Sequence, residues 1–361
     1  MSSDISPPPL KRKRLDTLEI SPVQSPQSEI TIYSWNVNGI APLIQRPITS
    51  FFATRDTGPA NKEATGFPLR AFLRRQGWPI LLFLQEVKIK PDDSATTAAV
   101  EKAVRRHPDE PRGSPNYRAH FCSPSDKHNA RGFGGRVYGV CTIIREDFYD
   151  LAVDRVRPVS WDNEGRFLIT ETNPTTFTPK LALINVYAVN GTDNPYKDPA
   201  TGTASGTRHD RKLRVHALLQ QECRALEAAG FRCIIAGDLN IARAAIDGFP
   251  NLRTFPTQHC VNRADFEARF ILDQDSAALE SAPCLGMLDA FRYLHPSRRG
   301  YTYYPRTKRF GESCDRVDMM LISPLLEPFL EAAGMLETPA DRGPSDHVPL
   351  YARLGFGESD T

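Results

Sequence analysis

The chain has 361 residues, 40% of them hydrophobic and 24% charged, and its formal net charge is only +2. That suits a soluble protein with a core, in one large α/β domain or two average ones, and excludes capture of a polyanion by the overall field; basic residues would have to gather on one face. Seven cysteines without a Cys-x-x-Cys spacing argue against a disulfide framework or a structural zinc site, and no apolar run approaches the roughly 18 residues of a membrane span.

Residues 1–28, MSSDISPPPLKRKRLDTLEISPVQSPQS, are rich in proline and serine and poor in apolar side chains. Such a segment cannot bury enough surface to offset its ordering entropy and is expected to be a disordered tail. No apolar stretch follows its charges, so no secretory signal is expected. The consecutive basic residues Lys11–Arg14 read as a nuclear localisation signal, although a solvated charge run or a weak phosphate-binding arm has the same composition.

Residues 29–361 are expected to form a single domain in which short strands alternate with amphipathic helices. In chain order, ITIYSW, ILLFLQ, VYGVCTII, RFLITE, KLALINVY, CIIAG, VDMMLIS and VPLYARL are rich in β-branched and aromatic residues and read as strands. Helical spacing marks 68–76, 94–107, 207–229, 262–272 and 324–332. The clearest helix is 207–229: Thr207 and Asp210 suggest a capping box, Leu213, His216, Leu219, Cys223 and Leu226 share a face, and Gly230 stops it. Segments 52–66, 108–135 and 191–206 read as loops. RFLITE and KLALINVY adjoin with no helix between them, which favours two mixed sheets facing each other with helices outside.

Six of the strands carry polar residues at one end. CIIAGDLN closes on Asp238 and Asn240, which read either as a turn or as two side chains sharing one side of an extended segment. ITIYSWNVNG closes on Asn36 and Asn38, ILLFLQEVK on Gln85, Glu86 and Lys88, and LALINVYAVNG on Asn185, Tyr187 and Asn190. RVDMMLIS opens on Arg316 and Asp318, and SDHVPLYA on Ser345, Asp346 and His347. One such end is a turn; six suggest a convergent site, since open α/β sheets hold theirs at strand ends. A hard divalent cation takes carboxylates, water and substrate phosphate oxygens, which suits Glu86 and Asp346. Neutral Asn and Tyr donors hold phosphate without repelling it. Asp238 can position or deprotonate water, His347 can stabilise charge building on phosphorus, and Asp318 can orient that imidazole. Among the eight histidines only His347 stands in such a place; His107, His128, His209 and His259 lie in polar stretches and are expected on the surface.

The motifs SWNVNG, LQEVK, NVYAVNG, GDLNIARAAID, LDAFRYLHP, YTYY, RVDMML and SDHVPL stand in the order found in the endonuclease/exonuclease/phosphatase superfamily. From about residue 30 to 354 the chain resembles its exonuclease III / class II AP endonuclease branch. The resemblance implies a DNase I-like, four-layered α/β sandwich of two facing mixed sheets flanked by helices. It also implies a nuclear enzyme of base excision repair, with Mg²⁺ as cofactor and Mn²⁺ as a substitute. Its partner would be double-stranded DNA, cut 5′ to abasic sites and trimmed at blocked 3′ ends; no membrane is involved, and a monomer is the family default. Carried over by motif, Glu86 would bind the metal with Asp346 nearby. Asp238 would be the general base or, with Asn240, a ligand of a second ion; Asn240 would otherwise orient water or phosphate. Asp318 and His347 would form the acid–imidazole pair at the scissile phosphate, which Asn36, Tyr187 and Asn190 would hold. Arg166 would touch the DNA backbone, and Tyr303, Arg306, Lys308 and Arg316 would add substrate contacts. In HPSRRGYTYYPRTKRF, basic residues that neutralise phosphates alternate with tyrosines that can stack on bases.

Three features depart from the family pattern. Asn38 stands where many eukaryotic AP endonucleases have Asp, and a neutral amide there argues against direct coordination. Asp315 stands where many place a Trp in the wall of the sugar pocket; a carboxylate should repel a phosphate-rich strand, weaken abasic-site discrimination and favour 3′-end activity. A 191–207 insertion replaces a shorter family loop, either as solvated chain or near the DNA. The chain closes soon after SDHVPLYARL, so the zinc-finger tail of some AP endonucleases is not expected. SCDRVD also resembles inositol polyphosphate 5-phosphatases, but Tyr187 and Asn190 stand where those enzymes tend to present a His. A catalytically silent DNA-binding member of the fold is disfavoured, because Glu86, Asp238, Asn240, Asp318, Asp346 and His347 are all present.

Overall fold

A two-residue alternation organises the core of the computed structural model, which describes residues 28–45, 68–130, 137–271 and 284–357. In β1 (Glu29–Asn36), Ile30 and Ile32 enter one apolar cluster while Tyr33 and Trp35 enter another. In β2 (Leu81–Gln85), Leu81 and Phe83 side with the first pair, Leu82 and Leu84 with the second. The inner cluster also takes Leu181 and Leu183 of β7 (Leu181–Tyr187) and Ile234 and Ala236 of β10 (Arg232–Asp238), so it fills the space between two sheets. Strands buried on both faces need no polar alternation, which is why these runs read as continuously apolar.

Each sheet has six strands. The first runs β15 (Leu330–Met335), β16 (Leu350–Gly355), β1, β2, β4 (Val140–Arg145), β3 (Tyr117–Cys122). The second runs β12 (Leu288–Asp289), β14 (Asp318–Ile322), β10, β7, β6 (Phe167–Thr172), β5 (Val153–Pro158). Both are mixed in the same way: β1 and β2, like β10 and β7, form one parallel pair flanked by antiparallel neighbours. Helices Pro68–Arg75 and Ser94–Val104 cover the outer face of the first sheet, Arg208–Ala228 and Gln258–Phe270 that of the second. The result is the four-layered sandwich expected from the sequence.

Arg208–Ala228 starts as its sequence requires: the Thr207 amide donates to Asp210 Oδ2 at 2.7 Å and the Asp210 amide to Thr207 Oγ1 at 3.2 Å. Two expectations fail. Residues 324–332 are not one helix: Pro324–Phe329 is a 3₁₀ turn and the chain then enters β15, because pairing with β16 outweighs the helical spacing of its apolar residues. The stretch 108–135 is not all loop, since β3 pairs with β4 at the sheet's edge. The 191–207 insertion carries a ribbon, β8 (Pro195–Lys197) with β9 (Ala204–Thr207), and Asn129 makes two hydrogen bonds to the backbone of Lys197, at 2.6 and 2.9 Å. The basic cluster at 11–14 and the segment 52–66 lie outside the described residues. No described helix is long and apolar enough to cross a membrane.

One glycine lets the second sheet close beside its polar end. Gly237 has φ +148°, and a Cβ there would lie 1.9 Å from the Val186 carbonyl oxygen. Gly237→Ala must therefore separate β10 from β7 next to Asp238, at a cost of about 3 kcal/mol. Urea unfolding should show the loss; a wild-type midpoint would contradict this account of the contact.

Candidate active site

The alternation that sends Ile30 and Ile32 between the sheets also sends Asn36 there, and the same holds for Asp238 after Ile234 and Ala236 and for Asp318 before Met320 and Ile322. At one end of the sandwich the inter-sheet layer thus changes from apolar to polar. In the second sheet Tyr187, Asp238 and Asp318 stand directly opposite one another on three neighbouring strands. Beneath them, Gln85 Nε2 donates to Ser34 Oγ at 3.0 Å and to Asn185 Oδ1 at 2.8 Å. Asn185 Nδ2 in turn donates to the Cys141 carbonyl at 3.0 Å and to Thr142 Oγ1 at 3.2 Å. Gln85 and Asn185 are thus a buried support, below the cavity rather than in its lining.

The turn reading of Asp238 and Asn240 holds and the extended one does not, since β10 ends at Asp238 and the chain turns before Asn240, though both residues line the cavity. Asp238 Oδ1 accepts from the Asn240 amide at 2.9 Å, a side-chain turn, and Asn240 (φ +52°) then directs its own amide to the Ala188 carbonyl at 3.0 Å. Asn36 repeats the device, accepting at Oδ1 from the Asn38 amide at 3.1 Å. Among the described non-glycine residues, left-handed φ occurs at Asn38, Trp78, Glu86, Lys88 and Asn240, and four of these lie at the polar end. Such conformations cost of order 1–3 kcal/mol each and persist where the surroundings over-determine them.

Asn36 Nδ2 reaches Glu86 Oε1 at 3.1 Å and Asp238 Oδ2 at 2.9 Å, joining one carboxylate from each sheet. Glu86 Oε2 also holds the Lys88 ammonium at 3.0 Å. Lys88 in addition donates to Asn38 Oδ1, and Asn38 Nδ2 donates to Asp346 Oδ1 at 3.0 Å. Glu86 and Asn38 therefore present oxygens that already cradle a cationic group, with the Asp346 carboxylate one hydrogen bond away, and this donor set fits a hard divalent ion. His347 is fixed from behind: its carbonyl accepts from Trp35 Nε1 at 3.0 Å and its amide donates to Ser345 Oγ at 3.0 Å. Its Nδ1 lies 2.7 Å from Asp318 Oδ2 and its Nε2 4.0 Å from Asp238 Oδ2.

Electrostatics sorts these groups by task. Burial and the Asp318 carboxylate opposite push Asp238 up to about 7, against the pull of His347. Burial alone would lower His347, but Asp318, Asp238 and Asp346 raise it to about 10. Asp238, Asp318 and His347 have ligand atoms within 4.8 Å of one another, a spacing that suits a metal ion as well as a shared proton. Burial also pushes Glu86 up, but Lys88 and hydrogen bonds from Tyr187 and Asn36 carry it below the usual carboxylate range. Tyr187 is buried and shifted well upward, first by desolvation and then by Glu86, so its hydroxyl stays a donor.

The cavity of about 250 Å³ brings together Glu86, Tyr187, Asn190, Asp238, Asn240, Tyr303, Asp346 and His347. Three expected substrate contacts are corrected. Asn36, expected to hold the phosphate, is fully buried outside the cavity lining and spends both amide hydrogens on Glu86 and Asp238. Arg166 is 2% exposed, tied to Glu164 at 2.9 Å and to the Tyr187 carbonyl at 3.2 Å, with its guanidinium 4.7 Å over the Tyr187 ring; it positions that tyrosine from behind. Arg316 is 1% exposed and clamped by Asp247 at 2.7 Å and Asp289 at 2.8 Å, so it locks β14 to its neighbours and cannot meet a phosphate strand. Removing it would leave two buried carboxylates short of a partner. Arg306 and Lys308 are exposed, outside the cavity lining; Arg306 donates to the Gly343 carbonyl at 2.6 Å and Lys308 pairs with Glu312 at 3.4 Å. His209, expected on the surface, is buried with Nδ1 2.7 Å from Asn262 Nδ2. Sequence reading missed Lys212, Arg253, His259, Asn262 and Arg263, all of which line the cavity. Lys212 is buried and donates to the Val189, Leu239 and Asn240 carbonyls, at 2.9, 3.3 and 3.0 Å, fixing the loops that carry Asn190 and Asn240. The basic density of NLRTFPTQHCVNR was the one signal for the others.

A family model described as the endonuclease/exonuclease/phosphatase family matches residues 33–347. The chain is 28% identical over 358 residues to a mouse (Mus musculus) protein named DNA-(apurinic or apyrimidinic site) endonuclease 2, covering 90% of this chain and 60% of that one. It thus spans less than two thirds of that relative's length. Among solved structures, an AP endonuclease from Leishmania major superposes with a TM-score of 0.61 at 18% identity, covering 92% of this chain and 90% of that one. The catalytic domain of the Xenopus laevis APE2 protein does so with 0.60 at 20% identity, covering 92% and 94%.

The His347–Asp318 contact makes a pH prediction. In NMR titration the His347 imidazole should stay protonated well above the usual range near 6.5, and Asp318→Asn should bring its pKa down sharply. An ordinary histidine pKa in the wild type would contradict the electrostatics described.

Proposed function

The chain belongs to the endonuclease/exonuclease/phosphatase family, and we propose that it falls in the exonuclease III / class II AP endonuclease branch and is a Mg²⁺-dependent DNA phosphodiesterase of base excision repair. It would incise double-stranded DNA 5′ to abasic sites and trim blocked 3′ ends. Residues 29–361 would form its catalytic domain, and Lys11–Arg14 would direct it to the nucleus. The observation that carries this reading is the pairing of opposite proton states across 4.0 Å: a carboxylate raised to about 7, Asp238, beside an imidazole raised to about 10, His347. Both are raised by the acids crowded around them, and strongly perturbed titratable groups gathered in one cavity mark acid–base work.

Glu86 and Asp346, with Asn38 between them, would hold the cation; bound there, it would polarise the phosphate and offset charge developing on its oxygens. The protein's own groups do the rest. The scissile phosphate would lie against His347 Nε2, the Tyr187 hydroxyl and the Asn190 amide, all donors. Asp238, free to accept a proton near neutrality, would take one from the attacking water. Its hydrogen bond from Asn36 fixes the direction of that oxygen, and Asn240 steadies the turn behind it. Asp318 keeps His347 protonated and aimed, so that positive charge already stands where negative charge grows on phosphorus.

The family also contains phosphatases of soluble phosphoesters. The basic and aromatic rim supports the DNA reading over them: Arg253 is exposed at the cavity, and Tyr303 and Tyr187 stand in its wall. The test is incision of a labelled duplex containing one stable abasic analogue, with Mg²⁺ or with EDTA. The wild type should make a single nick 5′ to the analogue only with Mg²⁺, and Asp238→Asn should lower the rate at least about a hundredfold. A folded wild type that makes no nick with Mg²⁺ would overturn the proposal.

A further inference from the structure

The cavity wall opposite the carboxylate cluster contains a group that the proposed chemistry leaves idle. Tyr303 forms isolated antiparallel bridges with Asp315 on one side and His347 on the other. Residues directly opposite in such pairs put their side chains on the same face. Asp315, Tyr303 and His347 therefore make one row facing the cavity, and all three line it. Adjacent strands lie roughly 5 Å apart, so Asp315 stands roughly 10 Å along the row from His347. With phosphate at His347, the attached sugar falls over the Tyr303 ring, whose centroid is 5.0 Å from that of the imidazole. The substituent at C1′ of a sugar so placed would come within reach of Asp315.

The Asp315 backbone is fully used: its amide donates to the Tyr303 carbonyl at 3.1 Å, and its carbonyl accepts from Thr302 and Tyr303 at 3.0 and 2.8 Å. Its carboxylate has no hydrogen bond or ion pair to any described residue. It is half-buried, and only Arg253 and Arg263 offset the desolvation that pushes it up. Arg263 is held off by its own contacts, to the Ala242 carbonyl at 2.7 Å and the Arg253 carbonyl at 2.9 Å. These two arginines also soften the repulsion of a phosphate-rich strand expected from the sequence. A half-desolvated carboxylate accepts hydrogen bonds and donates none, so water is its donor here until a ligand hydroxyl displaces it.

We propose that Asp315 is a specificity-determining residue that accepts a hydrogen bond from the C1′ hydroxyl of an abasic sugar, in place of an apolar wall. The proposal rests on the endonuclease reading above. An intact base amine is the competing donor at this position, and the cytosine duplex below separates it from the hydroxyl.

The test compares kcat/KM on three duplexes: one with a natural abasic site, one with a tetrahydrofuran site that lacks the hydroxyl, and one with an intact cytosine. The wild type should prefer the natural site over tetrahydrofuran by about tenfold or more, the effect of leaving a partly desolvated charged acceptor without its donor. Asp315→Leu should bring that ratio close to one, and Asp315→Asn, which still offers a carbonyl oxygen, should retain part of it. Equal cutting of both lesions by the wild type, or an unchanged ratio in Asp315→Leu, overturns the hydrogen bond while leaving the endonuclease reading intact. A loss in Asp315→Leu confined to the cytosine duplex assigns the carboxylate to a base amine and likewise overturns it. No cutting of either lesion by the wild type overturns both readings.

Discussion

A single carboxamide holds the two halves of this site together. Asn36 closes the central strand of one sheet, and its Nδ2 spends both hydrogens on carboxylates, Glu86 in its own sheet and Asp238 in the other. Its Oδ1 is occupied by the Asn38 amide. A neutral, two-hydrogen donor can satisfy both acids without adding charge; a lysine there would neutralise them and a serine could reach only one. Everything else at the polar end follows from acids held closer than they would choose. Asp238 and Asp318 stand directly opposite on adjacent strands, an unfavourable pairing unless something intervenes, and His347 intervenes. The raised proton affinities of Asp238 and His347 are two views of that crowding.

The fold makes the crowding affordable by isolating it. Below the acids lies a layer of Ser34, Gln85, Thr142 and Asn185, buried and hydrogen-bonded, and below that the apolar inter-sheet cluster. The gradient from apolar through neutral polar to charged gives most of these buried groups a partner of similar cost, while Gln85 Oε1 and Asp318 Oδ1 have none among the described residues. At Glu86 and Asp346 the two carboxylates face the Lys88 ammonium, a surplus of negative charge that would favour a divalent ion there.

Much of this was legible in the sequence, for identifiable reasons. Asn36, Glu86, Asp238 and His347 could be found because each interrupts a run apolar on both faces, where nothing but the end of the core explains a polar residue. Thr207 and Asp210 announced the longest helix because capping is local chemistry. Strand β15 was hidden because PLLEPFLEAAGM has helical apolar spacing, and only its pairing with β16 decides otherwise. Arg166 and Arg316 were misread because a motif identifies an arginine but not which way it faces: here each faces a buried carboxylate. Arg253, His259 and Arg263 belong to a loop and a helix that reach the cavity only through tertiary packing, which no local pattern encodes.

The central claim is that Glu86 and its neighbours form a divalent-cation site in a carboxylate cluster assembled from both sheets. The most direct measurement is thermal unfolding of EDTA-stripped protein titrated with MgCl₂ at constant ionic strength, for the wild type and Glu86→Gln. The account predicts a saturable rise in Tm for the wild type and little or none for Glu86→Gln, since an ion that binds the folded state stabilises it in proportion to ln(1 + [Mg²⁺]/Kd). The same rise in both proteins, or none in the wild type, would contradict it.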